Sequence, residues 1–150
     1  MATIFFVHDT QESPTPRQQY LEAAGHTVHL FKNGFECLSV MRDARPDLLL
    51  VDVLLEGPNG FDVVTELRRS TDAKTLPVVL CSGLYTARSF QDAAHQAGAQ
   101  AYLLRPFELS DLGDEVTLQL RLAQSQRAGG AGPKAGASLE LGGLRGQGAA

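Results

Sequence analysis

The chain has 150 residues, carries 13 Lys and Arg against 17 Asp and Glu for a net charge of −4, and is 43% hydrophobic. That size suits one domain with a full core, and the acidic balance offers no basic face for nucleic acid. The sequence has no signal-peptide pattern and no apolar stretch of membrane-spanning length, which argues against a membrane and points to the cytoplasm.

The first apolar run, Thr3–Val7, predicts a strand that exits into His8-Asp9. Pro14 and Pro16 fit only a first helical turn, so a helix is expected to begin near Thr15 or Pro16. The Thr10–Ser13 stretch then forms a loop over the strand exits. Gly25 caps that helix, and a second strand spans Thr27–Phe31. Cys37, Val40, Met41 and Ala44 have the i, i+3, i+4, i+7 spacing of a core-facing helix. Leu48–Asp52 is apolar up to its final carboxylate, as in a central parallel strand. Gly60, Val63, Val64 and Leu67 form the next helical stripe, and Pro77–Ser82 the fourth strand. Phe90, Ala93, Ala94 and Ala97 line a helix closed by Gly98. Gln100–Leu104 is the fifth strand, and a last helix from about Ser110 to Gln126 presents Leu112, Val116 and Leu120. Cys37 and Cys81 fall in a helix and a strand, so they read as reduced core residues rather than a disulfide or metal framework. From Ala128 onward Gly and Ala dominate and periodicity is lost. Residues 1–127 are thus expected to form the domain and 128–150 a flexible tail, with no room for a second, output domain. Strands alternating with helices, under the right-handed crossover rule, predict an α/β doubly wound, five-stranded parallel sheet.

Ligands of such sheets bind beyond the carboxyl ends of the strands. Four strands here exit at His8-Asp9, Asp52, Ser82-Gly83 and Arg105-Pro106. Two carboxylates, a hydroxyl and a cation are therefore expected around one shallow pocket, the outline of a phosphoryl and divalent-metal site.

Taken in order, Pro46-Asp47-Leu48-Leu49-Leu50-Val51-Asp52, Asn59-Gly60, Leu80-Cys81-Ser82-Gly83, Ala97-Gly98-Ala99 and Ala101-Tyr102-Leu103-Leu104-Arg105-Pro106-Phe107 resemble a response-regulator receiver domain, the CheY-like, flavodoxin-like (βα)5 fold of phosphorylation switches, over about residues 3 to 125. The resemblance implies that Asp52 accepts a phosphoryl group from a sensor histidine kinase or phosphotransfer protein. It implies Mg²⁺ held by Asp9, Asp52 and the backbone carbonyl of Leu54. Hard oxygens and a few waters suit that ion. Ser82 matches the switch hydroxyl, with Gly83 beside it leaving the acceptor unobstructed. Arg105 matches the cation, and Tyr102 the aromatic that turns inward and alters the face of the fourth helix, fifth strand and fifth helix. The physical demand is to neutralise the negative charge of both reacting partners.

Two positions depart from the family pattern. His8 stands where an acid is usual, which removes a negative charge and weakens Mg²⁺ binding. Arg105 stands where lysine is usual; its planar fork could bridge Asp52 bidentately without phosphate, or swing outward. Leu54 cannot orient an attacking water, which favours a long-lived phosphoryl group. The expected function is a single-domain response regulator of a two-component phosphorelay, switching protein partners through the Tyr102 face. It would be a phospho-acceptor that assists its own transfer and dephosphorylation, not an enzyme in the ordinary sense, and pairing of two copies is compatible with it. The alternative is a phosphorylation-independent pseudo-receiver, a constitutive protein-interaction or localisation module, favoured by His8 and Arg105. Nucleotide or flavin binding is disfavoured because His8 to Ser13 contains no glycine. A hydrolase is disfavoured because Ser82 has no evident histidine-acid pair, with His26, His29 and His95 placed elsewhere.

Overall fold

A computed structural model describes residues 2–9, 13–55, 58–69, 76–82, 88–104 and 107–131, without the side chains of 88–90 and 127–131. In chain order the elements are β1 (Thr3–Val7), α1 (Thr15–Ala23), β2 (Thr27–Phe31), α2 (Gly34–Val40), β3 (Leu48–Asp52), α3 (Gly60–Leu67), β4 (Val78–Ser82), α4 (Arg88–Ala97), β5 (Ala101–Leu104) and α5 (Leu109–Ala131). The strands form one parallel sheet in the order β2-β1-β3-β4-β5. The chain winds outward from β1 to β2, then returns across β1 to build β3, β4 and β5. That reversal opens a crevice at the carboxyl ends of β1 and β3, where open α/β sheets bind ligands.

Every residue of β3 and β4 is buried, as their unbroken apolar runs require. The two-residue period of the strands sorts their side chains into two layers. Phe5, Val7, Leu49, Val51, Val78 and Leu80 pack with Cys37, Val63, Val64, Leu67 and Ala94, under α2, α3 and α4. Ile4, Phe6, Leu48, Leu50, Val79 and Cys81 pack with Leu21, Leu112 and Val116, under α1 and α5. Burial of each such large apolar side chain contributes about 1.5–3 kcal/mol, so both layers stabilise the sheet between its helices.

Local chemistry sets the boundaries. α1 begins at Thr15 with proline in its first turn, as expected. Gly25 and Gly98 close their helices at φ 101° and 113°, a region that side chains with a Cβ avoid. β4 and β5 each start one residue later than expected. Gln100 clamps that start: its amide donates to the Val78 carbonyl at 2.9 Å, and its side-chain oxygen accepts from the Val78 amide at 2.7 Å.

Two expectations need correction. The inward stripe of α2 is Cys37 and Met41, with Gly34 at its start, whereas Val40 and Ala44 are exposed. The helix ends at Val40, so the four-residue pattern has no second turn to run on. α5 runs past Gln126 and through the expected 127/128 boundary to Ala131. Adding a residue to an existing helix costs far less than nucleating one, so weak formers extend it. The rest of the expected tail, 132–150, lies outside the described residues.

Candidate functional site

Asp52 closes β3 with 1% of its surface exposed. Strand alternation turns it to the same face as Leu48 and Leu50, beneath α1. There it meets Arg17, itself only 5% exposed and one helical turn before the buried Leu21. Arg17 Nη1 donates to Asp52 Oδ1 at 2.6 Å, and Nη2 donates to Oδ2 at 3.1 Å. The Asp9 amide donates to the same Oδ2 at 2.8 Å. The Arg17 Cζ lies 4.5 Å from the centre of the Phe6 ring, so the guanidinium rests on an aromatic face. Burial alone would lower the Arg17 pKa, but the hydrogen bonds and charge of Asp52 outweigh it and raise the group above its ordinary value. Cys81 lies in register with Asp52, and its thiol is pushed up to about 12 by burial and then by the Asp52 charge. The chemical result is a carboxylate held by a bidentate cation in a nearly dry layer.

The other described residues of the expected site lie at, near or beyond the strand ends. His8 is 7% exposed; its amide donates to the Phe31 carbonyl at 2.9 Å, and its ring packs edge-on to Phe6 at 5.8 Å. His8 Nδ1 lies 3.2 Å from the Asp9 carbonyl oxygen. His8 is thus built into the end of β1. Ser82 is buried at the end of β4 and follows Leu80 onto the α3/α4 face, opposite Arg17. Tyr102, in register with Leu80, is half-buried on that face, its ring stacked on Phe61 at 6.2 Å. The Leu54 side chain is exposed beyond β3. Gly83 and Arg105 lie outside the described residues, as do Thr10, Gln11 and Glu12 of the expected loop. Among the described residues, Arg17 holds Asp52 in a bidentate pair of the kind the sequence suggested for Arg105.

Asn59-Gly60 seats α3 against the exit of β3. The Asn59 side chain accepts from the Asp62 amide at 3.0 Å, and Asp62 returns a bond to the Asn59 amide at 3.3 Å, a reciprocal cap. The Gly60 amide donates to the Val53 carbonyl at 2.8 Å. A Cβ at Gly60 would lie 2.8 Å from both the Asp52 carbonyl oxygen and the Val53 Cα, so only glycine permits this approach.

The divalent ion implied by the resemblance can be tested against these donors. Asp9, Asp52 and the Leu54 carbonyl are hard oxygens of the right kind. Both Asp52 oxygens, however, are bonded to Arg17. As arranged, these residues do not offer Asp52 to a metal.

Arg17 is the residue that sequence reasoning missed. An arginine in Thr15-Pro16-Arg17-Gln18-Gln19-Tyr20-Leu21 reads as a solvated helix position. One signal was present: counting back four from Leu21 along the inner stripe of α1 arrives at Arg17, where an apolar residue is expected.

Comparison with known proteins identifies the family and the fold. The response regulator receiver domain family matches residues 4–117. The transcriptional regulatory protein PcoR of Escherichia coli is 31% identical over 128 residues, covering 85% of this chain and 55% of PcoR. Protein PilH of Pseudomonas aeruginosa is 28% identical over 110 residues, covering 72% of this chain and 88% of PilH. The chain therefore spans about half of PcoR but most of PilH. Among solved structures, the signal receiver domain of a signal transduction histidine kinase from Syntrophus aciditrophicus superposes with a TM-score of 0.71 at 26% identity, covering 95% of this chain and 99% of that one. Among the described residues no helix is long and apolar enough to cross a membrane.

Proposed function

The chain belongs to the response regulator receiver domain family, and from that premise we propose that it is a phosphorylation switch whose acceptor is Asp52. Receiver domains serve two-component signalling as phospho-acceptors rather than classical enzymes, generally with Mg²⁺, and they meet histidine kinases or phosphotransfer proteins and downstream targets. The observation that carries the assignment is the Asp52 carboxylate itself. It stands buried at the exit of β3, at the β1/β3 reversal, between the Arg17 guanidinium and the Asp9 amide. In the transfer an Asp52 oxygen attacks phosphorus, the bond from phosphorus to the donor's histidine nitrogen breaks, and an acyl phosphate forms. Arg17 and the Asp9 amide hold the nucleophile in place and offset the charge that gathers there.

Ser82 then serves as the hydroxyl that answers the new phosphoryl oxygens, with Gly83 at the pocket edge. Arg105 serves as the second cation, on the family pattern. The half-buried Tyr102, stacked on Phe61, is the reporter whose rearrangement alters the α4-β5-α5 face for a protein target or a second copy. A cytoplasmic site of action and some assistance to its own transfer and dephosphorylation complete this reading. Mg²⁺ binding at Asp9, Asp52 and the Leu54 carbonyl requires Arg17 to release Asp52 first.

One observation favours a second reading, a phosphorylation-independent pseudo-receiver that binds partners constitutively. The bidentate pair already engages both oxygens of the nucleophile. Amide NMR spectra with beryllofluoride and labelling with acetyl phosphate separate the two. Shifts at Asp52, Ser82 and Tyr102, with labelling that Asp52→Asn abolishes, are the expected result. Silence in both experiments at saturating Mg²⁺ would select the pseudo-receiver.

A further inference from the structure

We propose that Arg17 is the resident cation of the Asp52 site, occupying the carboxylate in place of a divalent ion and excluding that ion from it. The functional meaning of this exclusion rests on Asp52 being the acceptor, but the competition itself does not.

Three observations carry the inference. The first is the pair itself, with Arg17 bonded to both Asp52 oxygens and seated on Phe6. A divalent ion at Asp52 must compete with the guanidinium for those oxygens, and the guanidinium is itself seated on an aromatic ring in a buried layer. The second is the rigidity of the helix that delivers the arginine. Leu21 anchors α1 one turn further on with no exposed surface, and Tyr20 lies against Gly113 of α5, where a Cβ would come within 2.7 Å of its ring. Arg17 is therefore delivered to Asp52 from a helix packed on both the sheet and α5. The third is charge. His8 replaces an acid at the end of β1, so Asp9 and Asp52 set against Arg17 leave a formal charge of only −1 among these described groups. A hard divalent ion is drawn by carboxylate charge, and here half of it is already neutralised.

The face of approach matters as well. Arg17 reaches Asp52 from the α1/α5 side, whereas Ser82 and Tyr102 lie on the α3/α4 side.

The test uses Mn²⁺, which resembles Mg²⁺ in its ligands and broadens nearby amide signals. Full-length wild type, Arg17→Met and Arg17→Lys are titrated with Mn²⁺ and followed at the Asp9, Asp52 and Val53 amides. Methionine keeps the stem packed on Phe6 without the charge, and lysine keeps the charge without the fork. Arg17→Met is expected to bind Mn²⁺ at these amides at least about tenfold more tightly than wild type, with Arg17→Lys between them. Equal affinity in wild type and Arg17→Met would overturn the proposal. If Arg17→Met does not fold, Asp52→Asn decides: the wild-type titration should be unchanged by it, and loss of a wild-type Mn²⁺ site would overturn the proposal. No phosphate enters these titrations, so failure of the acceptor assignment appears separately, as absent acetyl phosphate labelling.

Discussion

Removing Arg17 should destabilise the fold far more than losing an ordinary helix-surface arginine. In Arg17→Met the Asp52 carboxylate keeps its bond from the Asp9 amide but loses two bonds from the guanidinium while only 1% exposed. Breaking a buried pair from one side costs about 3–5 kcal/mol, because the remaining charge has neither water nor its partner. Loss of the guanidinium from the Phe6 face adds about 1 kcal/mol, which the methionine thioether on the same ring offsets in part. The net expectation is about 3–4 kcal/mol, or roughly 10 °C in melting temperature for a chain of this size. Asp52→Leu should be similarly costly, since it strands the buried guanidinium. The double variant Arg17→Met/Asp52→Leu should recover most of the loss, because apolar replacement of a buried pair is neutral or stabilising by about 1–4 kcal/mol. Urea unfolding at pH 7 for the wild type, both single variants and the double variant gives the coupling energy directly. Single losses below about 1 kcal/mol, the range of exposed pairs, would refute the reasoning. So would a double variant no more stable than the weaker single one.

Other consequences follow from neighbouring contacts. Gly60→Ala places a Cβ 2.8 Å from the backbone of Asp52 and Val53, so it should cost about 1–3 kcal/mol and shift the Asp52 and Val53 amides; an unperturbed spectrum would contradict the close approach. Burial pushes both the Cys37 and Cys81 thiols up to about 12 from an ordinary 9.0. Between those values the unfolded chain ionises while the fold does not, so stability should fall as pH rises from about 9 to about 12 and be unaffected below. A shallower alkaline decline in Cys81→Val than in wild type checks this. Burial lowers the His26 pKa below its ordinary 6.5, and its Nδ1 accepts the Ala2 amide at 3.1 Å. The unfolded chain therefore takes up this proton first, and stability should drop as pH falls through about 6.5. His26→Gln should reduce that drop, read as the urea midpoint difference between pH 7.5 and pH 5; an unchanged difference would remove His26 from the account. Phe61→Ala removes the ring stacked on Tyr102, so it should broaden or shift the Tyr102 ring signals while leaving Asp52 paired.

The order and direction of the elements were written in local pattern. Unbroken apolar runs such as Leu48–Val51 and Val78–Cys81 can only be strands covered on both faces, and their polar exits mark the functional edge of the sheet. Asp52, Asp9, His8 and Ser82 were therefore legible as residues of that edge before any coordinates, because each ends a strand or lies within two residues of its end. Helix ends were less legible. α5 runs to Ala131 through glycines that local preference reads as a tail, since helix propagation tolerates weak formers. What only the tertiary structure decided is the partner of Asp52. Arg17 stands thirty-five positions before it, on a mostly polar helix whose inner face only Leu21 marks. Strand alternation turns Asp52 toward α1, and the docking of Leu21 rotates Arg17 onto Phe6 and the carboxylate. A local pattern reports what a residue prefers. Which buried charge meets which depends on how two layers close, and that is a property of the packed molecule.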